Sequence, residues 1–397
     1  GPDGTIWVTA PTGLTGGDYV WRSTDGGASF ELLPVPDPVF GGGDSDLAID
    51  PSGRIYQTGL WLGCVSAATS TTGDEWTMNP LMCEVPIDDR NWIEAADTGL
   101  AYLTFGSGQG ALRSTALVRV EVVGDLPVAM NVLQIPDSGQ YQWPGNLAVD
   151  KTTGNVYVAY LTRDDEAFVF RSTDGGQTAE KLPVAKRSGD TFDSFAVVAT
   201  DVAGNLYFTW SEREKDTQTT GIYVTHSTDQ GATWSTPQRV NTAATQTAIF
   251  PWIVAGDAGR LAVAYYATNA TGPSAEEVDG TWHVHLATTE NGLDANAPWL
   301  EQQISTTPIM QGSICTSGTG CAAGTRDLLD YFQIALDPQG YVHACWAEAP
   351  ESGPTVLVYG RQTSGTSRYT ANATPSNTTA EVEANLTSLL PIQVIQA

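Results

Sequence analysis

A glycine that opens a run of β-branched and aromatic residues recurs seven times along the chain. The seven positions, separated by 49, 46, 55, 50, 55 and 81 residues, are Gly4, Gly53, Gly99, Gly154, Gly204, Gly259 and Gly340. Each has an aspartate within the four preceding residues: Asp3, Asp50, Asp97, Asp150, Asp201, Asp257 and Asp337. Asp-to-Gly segments between apolar runs are typical of tight hairpin turns. The repeat therefore predicts one hairpin per unit of an all-β chain.

The residues around each turn indicate how these hairpins pack. The fifth residue after each glycine is small, and the residue two before the aspartate is alanine from Asp50 onward. Such restriction is expected where backbones crowd around a common axis. A unit of about 50 residues with four short strands is typical of a β-propeller. We predict a seven-bladed β-propeller of four-stranded antiparallel blades, with six blades as the alternative.

The repeats define a propeller domain over residues 3–363. Residues 364–397 follow as a tail rich in Thr, Ser and Asn. Within the tail, Pro391–Ile395 reads as a strand. Because the first unit has no strand before Gly4, we expect this segment to supply it and close the ring.

A second motif lies outside the hairpins and matches S-x-D-x-G-x-T-W. Its three clear copies place equivalent residues at Ser23, Asp25 and Gly27, at Ser172, Asp174 and Gly176, and at Ser227, Asp229, Gly231 and Trp234. The motif resembles the Asp-box, or bacterial neuraminidase (BNR) repeat, of the sialidase-like propeller superfamily. The resemblance implies a structural role in outer-strand turns, since Asp and Ser close local turns and Gly supplies a positive φ.

Charge and hydropathy exclude several classes of partner. The formal net charge is -27, from 45 acidic and 18 basic residues. A surface this acidic repels nucleic-acid phosphate and anionic lipid. No run of about 18 apolar residues is present, so we expect no direct membrane insertion. We expect a monomer whose partner is a glycan or a surface protein.

The five cysteines indicate an oxidising compartment. Cys64 and Cys83 are close enough to share one small sheet, and Cys315 and Cys321 enclose a Gly-rich loop that bends freely. We predict these two disulfides with Cys345 left over. A zinc site is the weaker alternative, because no C-x-x-C pair occurs. Disulfides and four N-glycosylation sequons favour an extracellular or cell-surface glycoprotein.

The predicted mouth of the propeller combines aromatic residues, carboxylates and arginines. Flat aromatic faces and charged hydrogen-bonding groups suit sugar rings. The candidate ligand-binding residues are Arg90, Trp92, Trp143, Trp252, Arg213 and Tyr331. The alternative interpretation is that propeller loops need turn-forming acids and that tryptophans fill blade interiors.

Four carboxylates are candidate catalytic residues: Glu212, Glu348, Asp89 and Asp193. Glu212 and Glu348 each stand two residues after a tryptophan at a strand end, which could bring two carboxylates to one cavity, as glycoside hydrolysis requires. Glu94 occupies the register of apolar residues in other repeats, so we expect a buried carboxylate paired with an arginine.

Metal and histidine sites are weaker features of the sequence. Asp44 and Asp46 could hold Ca²⁺, although no contiguous calcium loop is present and no cofactor is required. His283 and His285 share one strand face without a recognisable third ligand, which favours a structural pair.

Two functions remain open. The first is an extracellular glycan-recognising propeller, with glycosidase-like hydrolysis if it is an enzyme. The resemblance to sialidases does not extend to a recognisable arginine triad, so their catalytic residues have no counterparts assigned in this sequence. The alternative is a non-catalytic adhesion or interaction scaffold.

Overall fold

The computed structural model describes the following residues: 1–12, 16–38, 42–61, 64–83, 88–107, 114–136, 144–162, 166–187, 195–214, 216–272, 277–315, 321–322, 325, 328, 332–351, 353–372 and 390–391. Within them the chain divides into two compact units. Unit 1 comprises Gly1–Asp164 with Phe168–Leu182, and unit 2 comprises Asp165–Ala167 with Pro183–Val394.

The first eleven strands form three antiparallel sheets. The first sheet contains β1 (Ile6–Pro11), β2 (Asp18–Ser23) and β3 (Glu31–Leu32). The second contains β4 (Ser45–Ile49), β5 (Ile55–Trp61), β6 (Cys64–Ser70) and β7 (Thr77–Met82). The third contains β8 (Asp88–Asp97), β9 (Leu100–Ser107), β10 (Ser114–Val123) and β11 (Leu126–Pro136).

The remaining strands form three further sheets. The fourth contains β12 (Pro144–Val149), β13 (Val156–Leu161), β14 (Glu166–Ser172) and β15 (Glu180–Lys186). The fifth contains β16 (Val197–Thr200), β17 (Leu206–Arg213), β18 (Thr220–Ser227), β19 (Gln238–Arg239), β20 (Thr247–Ala255), β21 (Leu261–Thr268), β22 (Gly280–Thr289), β23 (Leu300–Gln303) and β24 (Met310–Gly312). The sixth contains β25 (Phe332–Leu336), β26 (Val342–Glu348), β27 (Val356–Arg361) and β28 (Leu390–Pro391).

An all-β propeller with four-stranded antiparallel blades is confirmed, but the predicted blade counts of seven and six are wrong. Within the residues that the structure describes, five of the six sheets are separate blades. The other is a nine-stranded sheet in which two sequence repeats are joined, because β18 and β20 pair in parallel at Thr220 and Thr247. The Thr220 N–H also donates to the Gln246 carbonyl at 2.9 Å. This junction lies between two repeats and does not change the spacing of the repeated residues, so the sequence pattern does not predict it.

First strands of successive repeats lie side by side within each unit. In unit 1, β4 lies between β1 and β8, and β8 also contacts β12; in unit 2, β16 contacts β20 and β20 contacts β25. Large side chains fill the space between sheets, including Tyr56, Leu103 and Phe105 in unit 1 and Trp282 and Trp346 in unit 2, all fully buried. Burial of each contributes roughly 1.5–3 kcal/mol or more.

The predicted Asp-to-Gly hairpins are present from Asp50 onward, and in several of them the aspartate carboxylate organises the turn. Asp50 Oδ1 accepts the Ser52 and Arg54 N–H groups at 2.8 and 3.1 Å, and Gly53 adopts a φ of +88°. This left-handed conformation strains residues that carry a Cβ. Asp201 and Asp337 accept the N–H groups two and four residues later in the same way.

The second oxygen of the turn aspartate reaches into the next repeat. Asp50 Oδ2 accepts the Gly99 N–H at 2.9 Å. In unit 2, Tyr207 Oη donates to Asp201 Oδ2 at 2.7 Å and accepts the Gly259 N–H at 2.9 Å. One carboxylate therefore closes its own turn and ties it to the following one.

The three S-x-D-x-G segments fold into superimposable turns. In the first, Ser23 Oγ donates to Asp25 Oδ1, the Gly27 N–H donates to Ser23 Oγ, and the Ser29 N–H donates to Asp25 Oδ1, at 2.8, 2.9 and 3.0 Å. The same contacts recur in the other two segments. Hydrogen bonds from the hydroxyl groups of Thr178 and Thr233, at 2.6 Å, are the main cause that lowers the pKa of Asp174 and of Asp229 to about 2, and the backbone and serine hydrogen bonds add to it.

Both predicted disulfides are confirmed: Cys64 bonds Cys83, and Cys315 bonds Cys321. Cys345 is a free thiol, and its burial raises its pKa to about 12.

Residues beyond β27 continue to pack on the repeats of unit 2. The Arg368 guanidinium is buried and donates to the carbonyls of Leu261 and Thr289 at 3.2 and 2.9 Å. Leu390–Pro391 pairs with β27, in the sixth sheet and not the first. Residues 392–397 lie outside the described residues, so closure of the ring by the C-terminal segment stays a prediction.

We predict that Tyr207→Phe destabilises the protein by about 1–2 kcal/mol, since it removes one donor and one acceptor from the link between two turns. Tyr157→Phe is the matched control, because the Tyr157 hydroxyl accepts one long hydrogen bond, from Asn155 Nδ2 at 3.4 Å. Urea unfolding monitored by tryptophan fluorescence measures both. Equal losses in the two variants would contradict the proposed link.

Candidate functional site

The segment Asp88–Trp92, which contains the candidate residues Asp89, Arg90 and Trp92, begins β8 with a bulge. Asp89 pairs with Gly106 and Trp92 with Thr104, so Arg90 and Asn91 are inserted between ladder positions. Arg90 has a φ of +57°, which strains a residue with a long side chain. Bulges and left-handed residues of this kind re-aim side chains and cluster at functional sites.

An equivalent bulge begins β20 in unit 2. Ile249 pairs with Tyr266 and Trp252 with Ala264, and the inserted Phe250 has a φ of +53°. Trp92 and Trp252 therefore occupy the same register, each opposite the small fifth residue of its repeat. Trp92 is buried, whereas Trp252 is half-buried and packs against the core of its unit.

The two aspartates predicted to bind calcium hold the β8 bulge in place. Asp44 Oδ2 accepts the Arg90 N–H at 3.0 Å. Asp46 Oδ2 accepts the Ile93 N–H at 3.0 Å, and its Oδ1 accepts the Leu47 N–H at 2.8 Å. These contacts give both carboxylates a structural role. No group of three or more His, Cys, Asp or Glu side chains is arranged for a metal within the described ranges.

Two buried oxygens beside this bulge lack donors. Asp88 Oδ1 and Asn91 Oδ1 have no hydrogen-bond partner in the described part of the chain. Asn91 Nδ2 donates to Thr58 Oγ1 at 3.2 Å, which fixes its amide. Burial raises the pKa of Asp88 to about 6. We name Asp44, Asp46, Asp88, Arg90 and Asn91 the β8 bulge cluster.

Glu212 and Glu348 adopt the same arrangement at two strand ends of unit 2. Trp210 Nε1 donates to Glu212 Oε2 at 2.9 Å, and Trp346 Nε1 donates to Glu348 Oε1 at 3.1 Å. Both carboxylates are buried. Their convergence on one cavity stays a prediction. Arg213 lies half-buried at the end of β17.

Three candidate residues, Trp143, Asp193 and Tyr331, lie outside the described residues. Asp89 is described and half-buried on β8.

Glu94 is not the buried, arginine-paired carboxylate that the register predicted. Its side chain is 40% exposed and pairs with Lys151 at 3.0 Å. A register shift between Ala95 and Asp97 places Ile93, paired with Leu103, at the apolar position instead. A shift of one residue moves a side chain to the other face of a sheet.

The histidine pair makes structural contacts, as the sequence favoured. His283 Nδ1 lies 3.1 Å from Ser305 Oγ, and His285 Nδ1 lies 3.3 Å from Glu301 Oε1. Burial acts to raise the pKa of Glu301, but the nearby His285 and the hydrogen bonds from Thr242 and Thr245 outweigh it and lower that pKa to about 2.

A buried pair of carboxyl groups was missed by the sequence reasoning. Asp18 and Asp37 are both 0% exposed and hydrogen-bond to each other. Burial and the Asp37 charge raise the pKa of Asp18, and burial raises the pKa of Asp37 to about 6. Neither residue belongs to the repeat or to the S-x-D motif, so no periodic signal marked them.

No protein-family model and no curated protein matches this chain. Among solved structures, it is similar to a protein of unknown function from Dyadobacter fermentans, with a TM-score of 0.52 and 12% identity over 90% of this chain and 98% of the other. A GH74 enzyme from Niastella koreensis matches with a TM-score of 0.50 and 14% identity over 90% and 56%, respectively. An intramolecular trans-sialidase from Ruminococcus gnavus matches with a TM-score of 0.48 and 12% identity over 90% and 91%.

At these identities the likeness to the first two structures shows a shared fold. No helix in the described ranges is both long and apolar enough to cross a membrane.

We predict that Asp88 makes stability fall as pH rises. A folded-state pKa of about 6, above the ordinary value of 3.8, means that the native state keeps its proton after the unfolded chain has lost it. This stabilisation is complete below pH 4 and is lost between about pH 4 and 6. Its size is on the order of 1–3 kcal/mol.

Urea unfolding at several pH values between 3.5 and 7 tests this prediction. In Asp88→Asn, the free energy of unfolding should fall less steeply with rising pH than it does in the wild type. Asp97→Asn, an exposed position at the other end of β8, is the control and should follow the wild type. If the unfolding free energy of Asp88→Asn depended on pH as that of the wild type does, the prediction would be contradicted.

Proposed function

We propose that this protein is an extracellular glycan-recognising propeller whose β8 bulge cluster contributes to the sugar-binding site. The observation that carries the proposal is the pair of equivalent left-handed bulges at Arg90 and Phe250, each two residues before a tryptophan. The structure maintains backbone strain at both positions: Arg90 is half-buried at the start of β8, and Phe250 is buried in the core of unit 2. Neither Arg90 nor Phe250 is paired with a residue of the neighbouring strand.

The chemistry of the cluster supports a hydroxyl-rich ligand. Asp88 and Asn91 each carry an oxygen without a donor, and sugar hydroxyl groups donate hydrogen bonds. Arg90 would add the charged donors, and Trp92, on the same strand, the apolar surface. The bulge must rearrange before the two buried oxygens can reach a ligand. The strained backbone at Arg90 favours such a rearrangement.

Other features support the setting and class of the protein. Two disulfides are consistent with an oxidising, extracellular compartment. The S-x-D-x-G turns resemble the Asp-box motif, and the fold is shared with a GH74 enzyme. Glycoside hydrolysis would require an acid and a second carboxylate, and Asp88 with its raised pKa suits the acid role. Asp89 is the described candidate for the second group in unit 1, whereas Glu212 and Glu348 stay candidates for a site in unit 2.

Binding to a glycan array, with hydrolysis of a panel of chromogenic glycosides, tests the proposal. We expect at least one glycan class to bind and Arg90→Ala to weaken that binding about tenfold or more, equivalent to about 1.4 kcal/mol. Arg54→Ala is the matched control, since Arg54 pairs with Asp125 at 3.3 Å and lies in a repeat turn.

Thermal unfolding of both variants checks that they fold. Absence of binding to any glycan, or equal loss in both arginine variants, would overturn the proposed site. Turnover of a glycoside would extend the function to hydrolysis.

A further inference from the structure

We propose that Asp18, Asp37, Gln57 and Ser66 form a buried binding site for one calcium ion in unit 1. Asp18 begins β2 and Asp37 follows β3, whereas Gln57 and Ser66 lie on β5 and β6. The site therefore joins the first two sheets. It is separate from the β8 bulge cluster and does not depend on the proposed glycan function.

The two carboxylates each have one oxygen fixed by the backbone and one directed to a common centre. The Gly42 N–H donates to Asp18 Oδ1 at 3.0 Å, and the Asp18 N–H donates to Asp37 Oδ1 at 3.2 Å. Both Oδ2 atoms converge above Gly59, where an added methyl group would collide with each of them. The absence of a side chain at residue 59 creates the space in which these oxygens meet.

Polar side chains from the second sheet complete the centre. Gln57 Nε2 donates to Asp18 Oδ2 at 2.8 Å, and Ser66 Oγ donates to Asp37 Oδ2 at 3.0 Å. Asp18, Asp37, Gln57 and Ser66 all have 0% exposure. Two carboxylates, an amide and a hydroxyl thus share a fully buried space.

The charge of this space is not balanced by a basic side chain. In the described part of the chain, no Lys, Arg or His hydrogen-bonds or ion-pairs with Asp18 or Asp37. Two adjacent carboxylates cannot both remain ionised in a buried site without a counter-charge. A divalent cation between the two Oδ2 atoms would neutralise both.

The amide of Gln57 supplies an independent indication of a ligand. Its Oε1 atom is buried and accepts no hydrogen bond from any described residue. The nitrogen of the same amide donates to Asp18 Oδ2 and to the Thr58 carbonyl, both at 2.8 Å, so the side chain is directed into the cluster. Rotation of the amide by half a turn would direct the oxygen to a cation.

The donor set favours calcium over other metals. Every candidate ligand is an oxygen, and Ca²⁺ binds carboxylate, amide and hydroxyl oxygens, whereas Zn²⁺ prefers nitrogen and sulfur. The Gly59 carbonyl, 3.4 Å from Ser66 Oγ, is a further oxygen at this position. A cation would replace hydrogen bonds within the cluster by ligand bonds that join the two sheets.

Isothermal titration of CaCl₂ into chelator-treated full-length protein tests the site. We expect the wild type to bind one ion per chain. Asp37→Asn and Gln57→Met should each lower the calcium affinity at least tenfold. The Asp18→Asn/Asp37→Asn double variant should show no detectable binding. Asn and Met keep the approximate size of the native side chains. Asp97→Asn, on an exposed turn, is the control and should bind as the wild type does.

Thermal unfolding with and without calcium gives a second readout. Calcium should raise the midpoint of the wild type and of Asp97→Asn but not of the double variant. Two results would overturn the proposal: no wild-type binding up to about 1 mM calcium, the weak end for extracellular calcium modules, or binding retained by the Asp18→Asn/Asp37→Asn double variant.

Discussion

The carboxylate of the turn aspartate is the interaction on which the repeated architecture depends. One of its oxygens accepts backbone N–H groups inside the turn, and where the second reaches the next repeat it joins two turns. Asp50 and Gly99 make this contact in unit 1, and Asp201, Tyr207 and Gly259 make it in unit 2. Each contact is worth about 1 kcal/mol, more where the acceptor is charged and partly buried. Repetition, more than the strength of any one bond, gives these contacts their importance.

This interaction also explains why so much of the fold could be predicted from sequence. A hairpin that must place Asp, Gly and a small residue at fixed positions produces a periodic sequence pattern. The turns at Asp50, Asp201 and Asp337 have the structure that this pattern predicts. The disulfides were predictable for a similar reason, because each joins cysteines separated by fewer than 20 residues. Local geometry was therefore recovered well.

Features that depend on a single non-repeated contact were not recovered. The parallel pair at Thr220 and Thr247 joins two repeats without any change in their internal pattern. The face of Glu94 was misassigned because a bulge near Ala95 shifts the register by one residue. Asp18 and Asp37 contact each other because the segment after β3 brings Asp37 next to the start of β2, a contact that no repeated residue pattern marks. For the candidate site, the sequence suggested Arg90 and Trp92 as ligand-binding residues, which stays a prediction, and the left-handed bulge that places them has no distinctive residue pattern.

The junction in the nine-stranded sheet has a consequence for dividing the protein into fragments. Thr220 donates to the Gln246 carbonyl, and its strand pairs with the strand that begins at Thr247. A chain cut between Arg239 and Thr247 would expose this edge on both pieces and leave strand groups open to pairing with other chains. The fifth and sixth repeats are thus better treated as one expression unit than as two, and a fragment that ends between them should be prone to aggregation.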